Sequence, residues 1–162
     1  LNTNKICYTE HSHKPLFTVN ESKDFRRGLD GAHTKNLFLK DKKKKYYLLS
    51  CLEDKKIDLK KLRLMLGVNN LSFGSVENLE GILGLKPGSV SPFGLINDSN
   101  KITRFLLDRD ILQFDSVNFH PLVNNYTLNL KINDFINFIK KINVKLDLVN
   151  LQIYSLEKNE QY

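Results

Sequence analysis

The stretch Gly31-Ala32-His33-Thr34-Lys35-Asn36-Leu37-Phe38-Leu39, followed after a lysine-rich break by Tyr46-Tyr47-Leu48-Leu49-Ser50-Cys51, decides the fold class. Thr34 to Leu39 and Tyr46 to Cys51 are short runs of apolar and aromatic residues, which read as strands. The polar run Lys40 to Lys45 joins them as a hairpin loop. Its lysines Lys42 to Lys45 have the ordinary reading of a solvated loop tip.

Working outward, Asp58 reads as the N-cap of a helix with Leu59, Leu62 and Leu66 on one stripe, stopped by Gly67. Ser75 caps a second helix carrying Leu79, Ile82 and Leu83, with Gly84 past its end. Asn133 is the expected cap of a third. There Phe135, Phe138, Ile139 and Ile142 share a face, and Lys140 and Lys141 suit the negative C-terminal end of the helix dipole. Further strands are expected at Lys101 to Leu107, Val117 to Phe119, Thr127 to Lys131 and Val144 to Leu148. Strands and helices interleave irregularly, with hairpin links. A mixed α/β, α+β-like single domain therefore fits better than a doubly wound parallel sheet. The residues after Ile153 read as a polar tail prone to fraying.

The chain has 162 residues, enough to bury a core without disulfide or metal support. No apolar run approaches the roughly 20 residues that cross a bilayer. The first residues are polar and mixed, unlike a secretory signal. Cys7 and Cys51 form neither a CxxC pair nor a disulfide framework, and read as reduced thiols of a cytoplasmic protein.

The net charge is +7, with 20 lysines, 5 arginines and 18 asparagines. That bias is what an AT-rich coding sequence produces, so the total says little by itself. The distribution says more. Residues 1–70 carry 16 basic and 8 acidic side chains, whereas residues 71–162 carry 9 and 10. The excess lies wholly in the first half, as expected where one face meets a polyanion.

The common catalytic signatures are absent: no GxSxG, HExxH, Walker loop or GxGxxG. His11-Ser12-His13 is a weak two-ligand pattern without a Cys or carboxylate cluster, so no metal is expected. Ser72, Ser75, Ser89 and Ser91 are candidate nucleophiles by type only, and no adjacent histidine marks any of them as activated. Three segments remain. Lys35, within a strand, either snorkels to solvent or points into a cleft as a fixed cation. Leu85-Lys86-Pro87-Gly88-Ser89-Val90-Ser91-Pro92-Phe93-Gly94 reads as a rigid loop with exposed N–H groups. It is either a plain turn or a donor to a carbonyl or phosphate oxygen. His120, after a strand and before Pro121, is either a structural histidine or a rim residue.

In order and at these spacings, GAHTKNLFLKDKK (31–43), LSFGS (71–75), GSVSPFGL (88–95) and FHPLVNNYT (119–127) resemble the YbaK-type aminoacyl-tRNA editing family. This family is also seen as the editing domain inserted in bacterial prolyl-tRNA synthetases. The likeness runs from about Phe17 to about Ile142, and Lys14 to Val19 is similar to the family's first strand. HTKNLFLKD resembles the free-standing branch that clears alanine from proline tRNA. Ala32, where glycine is common, and Gly74, where a small residue is common, are departures, and the family's usual N-terminal helix is not evident.

The resemblance implies a largely antiparallel mixed sheet curled into a partial barrel with flanking helices, with a domain spanning 1–153 and a tail at 154–162. It implies hydrolysis of the ester between an amino acid and the terminal ribose of a mischarged tRNA, alanyl-tRNA(Pro), without a cofactor. Esters need a positioned water and a stabilised oxyanion, so no nucleophile motif is required. Lys35, Asn36, Gly88, Ser89 and His120 are the implied catalytic residues. Thr34, Val90, Ser91, Pro92, Phe93, Gly94, Pro121 and Asn124 are the implied substrate-binding residues. The partners implied are the tRNA acceptor end and, transiently, prolyl-tRNA synthetase. Two alternatives stay open: the same chemistry on a cysteinyl, seryl or threonyl ester, and a module that binds tRNA or a synthetase without hydrolysis.

Overall fold

In a computed structural model the described residues are 1, 6–14 and 28–157. The expected first strand at Lys14 to Val19 falls almost wholly outside them. Among the described residues nine strands are seen: β1 Thr9–Ser12, β2 Ala32–Lys40, β3 Tyr46–Leu52, β4 Ser72–Phe73, β5 Thr103–Asp108, β6 Ser116–Phe119, β7 Tyr126–Lys131, β8 Leu146–Asn150 and β9 Ser155–Leu156. They form one mixed sheet in the order β1-β7-β6-β2-β3-β5-β8-β9, with β4 on the end of β2. The β2·β6, β3·β5 and β5·β8 pairs are parallel and the others antiparallel. The sheet stays open, with β1 and β9 at its two ends.

Helix α1 (Leu59–Leu66) begins where the Asp58 carboxylate accepts from the N–H groups of Lys60 and Lys61, and ends at Gly67 with φ +67°. Helix α2 (Val76–Leu83) begins at Ser75 and ends at Gly84. Both pairs of caps match the sequence reading. Helix α3 (Ile132–Lys141) corrects it. Asn133 lies inside the first turn, and the cap position is Lys131, with no side-chain cap bond. The Ile132 N–H donates instead to the Asp115 carbonyl at 3.1 Å, so a tertiary acceptor takes the place of a capping side chain. β5 starts later than expected because Asp98 accepts from the N–H groups of Ile102 and Thr103, holding that stretch in a turn.

Central strand β3 is buried along almost its whole length, as both faces of the sheet are covered. One face packs Ala32, Phe38, Leu48 and Phe105 against α2, α3 and the segment 85–95. Edge-on aromatic pairs join Phe93 to Phe119 and Phe138, with centroids 5.9 and 5.3 Å apart. The other face packs Leu39, Tyr47, Leu49, Cys51 and Leu106 against α1. The expected fraying tail is partly inside the fold. Ser155 and Leu156 pair with β8, and the Tyr154 hydroxyl accepts from the Asp58 N–H at 2.7 Å. Residues 158–162 are outside the described range.

Candidate active site

β2 carries the site's first residues, and its period of two sends neighbours to opposite faces. Thr34 and Asn36 share the face of Ala32 and Phe38, whereas Lys35 shares that of Leu37 and Leu39. The Asn36 side chain is held from two sides. Its Nδ2 donates to the Val90 carbonyl at 3.0 Å, and its Oδ1 accepts from the buried Ser50 hydroxyl at 2.5 Å. Thr34 donates to the Asn118 carbonyl on β6 at 2.8 Å.

The loop that meets Asn36 is built by Lys86-Pro87-Gly88-Ser89. Ser89 donates through both N–H and hydroxyl to the Lys86 carbonyl, and Gly88 sits at φ +86°. Beyond it the expected loop gives way to a 3-10 helix, Pro92–Asn97. Proline is at its first position, and the Ser91 hydroxyl accepts from the Phe93 N–H. The N–H groups expected to be exposed are therefore only partly available. The N–H groups of Ser89, Phe93 and Gly94 are used within the loop. Those of Gly88, Val90 and Ser91 meet no acceptor among the described residues. Pro92, Phe93 and Gly94 are buried. A Cβ at Gly94 would come within 2.6 Å of Leu85 and 3.1 Å of the Leu83 carbonyl, so close packing demands glycine there.

The third segment follows β6. His120 Nδ1 donates to the Tyr126 carbonyl at 3.0 Å. The His13 ring stands 6.1 Å away, with its own Nδ1 on the Lys14 carbonyl and its Nε2 on the Thr127 hydroxyl. Pro121 is half-buried, and the backbone then turns through Leu122 at φ +72°. Asn124 Nδ2 lies 3.9 Å from where a Cβ on Gly88 would be. The structure thus brings together Thr34, Asn36, Gly88, Ser89, Val90, Ser91 and Asn124, with His120 on the same β6–β7 connection.

Lys35 is the exception. Its ammonium donates to the carbonyls of Glu53 and Lys55, on the other side of β2. The carbonyl-bearing turn is itself anchored. Lys55 Nζ pairs with Asp108 at 2.8 Å and Asp110 at 2.6 Å, and buried Asp108 also accepts from the Leu52 N–H. Burial pulls the Lys55 ammonium down, but its bonds to Asp108 and Asp110 outweigh that and hold its pKa above the ordinary lysine value. Cys51, the cross-strand partner of Lys35, has its thiol pushed up to about 12 by burial, against the opposing pull of Lys35. Among the described residues, no group of three or more His, Cys, Asp or Glu side chains could hold a metal ion.

A model of the aminoacyl-tRNA editing domain matches residues 13–138. That span takes in β2, the Gly88 loop and the His120 connection. The chain belongs to the aminoacyl-tRNA editing domain family. It is accordingly an aminoacyl-tRNA deacylase, an enzyme that hydrolyses the aminoacyl ester. The prolyl-tRNA editing protein ProX of Acetoanaerobium sticklandii is 36% identical over 137 residues, 84% of each chain. Prolyl-tRNA synthetase associated domain-containing protein 1 of Xenopus laevis is 39% identical over 134 residues, 80% of this chain and 79% of that one. The crystal structure of hypothetical protein APE2540 shares the fold, with a TM-score of 0.70 at 14% identity over 97% of this chain and 95% of that one.

Within this editing domain, sequence reasoning missed three contributors. Ser50 lies in an apolar strand, and nothing local marks it as Asn36's partner. His13 was visible only as half of a weak metal pattern. Asp108 anchors Lys55 across 53 residues of chain, a separation that leaves no short-range signal.

Proposed function

We propose that this editing enzyme acts in trans on mischarged proline tRNA, and that its principal substrate is the alanyl ester. The observation that carries the reading is the convergence of Asn36, the Gly88–Ser91 loop and Asn124 on one rigid wall. Similarity to a ProX protein and to prolyl-tRNA synthetase associated domain proteins supports the tRNA assignment. Any contact with prolyl-tRNA synthetase belongs to the same proposal.

The mechanism asks little covalent chemistry of the protein. The neighbouring ribose hydroxyl of the substrate assists the attacking water. The unclaimed N–H groups of Gly88, Val90 and Ser91 are placed to receive the developing oxyanion. A single such donor is commonly worth about 10²–10³ in rate. Asn36 is locked by Val90 and Ser50, so it meets substrate without first losing rotamer freedom. His120 and Asn124 orient the ribose or the amino group. Lys35 has three N–H donors, two of them on carbonyls. The third is offered to a terminal phosphate oxygen.

Selectivity rests on the wall. Phe93 is packed between Phe119 and Phe138, and Gly94 against Leu85, so the segment cannot yield to a larger side chain. A methyl group fits, while a pyrrolidine ring would push the ester carbonyl off its donors. Displacement by about 1 Å can cost roughly a hundredfold in rate. The test is deacylation of alanyl-, prolyl-, seryl- and cysteinyl-tRNA(Pro) at matched charging. Alanine should leave much faster than proline, with partial activity on serine. Equal alanine and proline rates would sink the size argument, and fastest cysteine release would reassign the substrate.

A further inference from the structure

Four consecutive lysines, Lys42 to Lys45, form the β2–β3 turn, away from the site. A pocket of about 570 Å³ opens there between the turn, the loop after α1 and β5. Its lining includes Lys42, Lys43, Lys44, Lys45 and Arg104, against the single carboxylate of Asp41. Arg104 is paired with Asp147, so the four turn lysines supply the unbalanced charge.

The turn is built rather than loose. Asp41 Oδ1 accepts from the N–H groups of Lys43 and Lys45 at 2.7 and 2.9 Å, and its own N–H donates to the Lys45 carbonyl. These bonds hold the backbone of the turn in one shape. Lys44 stands at φ +58°, a left-handed position that glycine or asparagine fills at lower cost. A lysine kept at the strained position of a rigid basic turn is a feature that folding by itself does not call for.

Its location gives it a partner. The turn follows directly on the end of β2, the strand that carries Asn36, and its pocket opens toward the α1 side of the sheet. At about 3.3 Å per residue, the turn is roughly 20 Å from Asn36. Along a tRNA end stacked on its stem, with the duplex rise of about 3.4 Å per nucleotide, that distance is about six nucleotides. It carries past the single-stranded end of a tRNA and onto its double-stranded acceptor stem.

We propose that the Lys42–Lys45 turn is a phosphate-binding surface for the double-stranded acceptor stem of the tRNA whose esterified end occupies the Asn36 site. This rests on the tRNA reading of the site and adds where the rest of that molecule lies. The contact is with backbone phosphates, so it confers affinity and orientation without sequence preference.

The experiment measures binding of uncharged tRNA(Pro) to the full chain as a function of salt, alongside hydrolysis of alanyl-tRNA(Pro) and of an alanyl ester on the single-stranded terminal trinucleotide alone. Replacing Lys42 to Lys45 with glutamine should weaken tRNA binding at least tenfold at about 0.1 M salt. The log–log salt slope should fall by about one for each phosphate that is no longer neutralised, while the trinucleotide ester is cleaved at the wild-type rate. Lys44→Gly should lower the slope by about one while leaving the melting temperature unchanged or raised, which separates loss of charge from loss of folding. An unchanged slope in both variants, or an equal loss on the trinucleotide ester, overturns the proposal. Uncharged tRNA binding is read without turnover. A wild-type protein that binds tRNA but hydrolyses no alanyl ester would therefore refute the substrate assignment alone and leave this surface standing.

Discussion

Lys35 and Asn36 are adjacent in the chain, yet they work on opposite sides of β2. On the Asn36 side, Ser50, Val90, Gly88 and Asn124 form a wall with unclaimed donors. On the Lys35 side, the ammonium is tied to the Glu53 and Lys55 carbonyls, and that turn is nailed to Asp108 and Asp110. The first side is arranged to receive something. The second has most of its polar capacity already spent on the fold. A contiguous motif is therefore not a contiguous site, and its two halves should fail in different ways when altered.

The largest effect should come from the pair of alanine variants. Lys35→Ala should lower kcat/KM for alanyl-tRNA(Pro) at least about a hundredfold, since loosening of the 53–55 turn adds to the missing charge. It should also cost about 1–3 kcal/mol of stability, because two carbonyls lose their donor. Asn36→Ala should reduce kcat comparably on both tRNA and alanyl-adenosine, which lacks the phosphate. Lys35→Ala should spare much more of the alanyl-adenosine rate. Identical losses on both substrates from both variants would erase the distinction between the faces.

Gly88→Ala tests the receiving side alone. At φ +86° a side chain costs roughly 1–2 kcal/mol, and the new methyl would sit 3.9 Å from Asn124 Nδ2. Activity should drop about tenfold, with thermal unfolding lowered by only a few degrees and Lys35-side packing unaffected. Wild-type turnover would remove the loop from the mechanism.

The smallest effect is confined to the Lys35 side and touches stability only. The Cys51 thiol is raised from an ordinary 9.0 to about 12, chiefly by burial. In the unfolded chain it ionises from about pH 9, while in the folded chain it stays neutral. Stability is therefore intact below about pH 9 and falls as pH rises toward 12, by about 1.4 kcal/mol per unit. The Tyr47 phenol, also raised by burial and by Asp41, adds loss in the same direction at higher pH. Denaturant titrations at pH 9 and 10 should show a slope that Cys51→Ala removes. An unchanged slope would mean Cys51 is ionised in the fold. Neither this variant nor alkylation of exposed Cys7 should alter deacylation near neutrality.

Much of the fold was legible in the chain because the signals are short-range. Asp58 with Gly67, and Ser75 with Gly84, mark two helices through hydrogen bonds that span only a few residues. The β2–β3 hairpin follows from two apolar runs around a polar break. Where the reading slipped, a distant group had replaced a local one: the Asp115 carbonyl serves the start of α3, and Asp98 delays β5. The short strands β1, β4 and β9 exist only because longer ones offer them an edge.

By itself, then, the sequence determined the helices and their ends, the mixed sheet, and the set of residue types whose order identifies the editing family. Caps, turns and periodicity act over a few residues, and motif order needs no coordinates. Only the tertiary structure decided which motif residues share a space. It turned Phe93 and Gly94 into packing and left Gly88, Val90 and Ser91 as donors. It also set Lys35 on the far face, with Asp108 as its indirect anchor. Those outcomes depend on strand register and on contacts between residues tens of positions apart. Such contacts form only when many weak interactions close together, and no single stretch of chain records them.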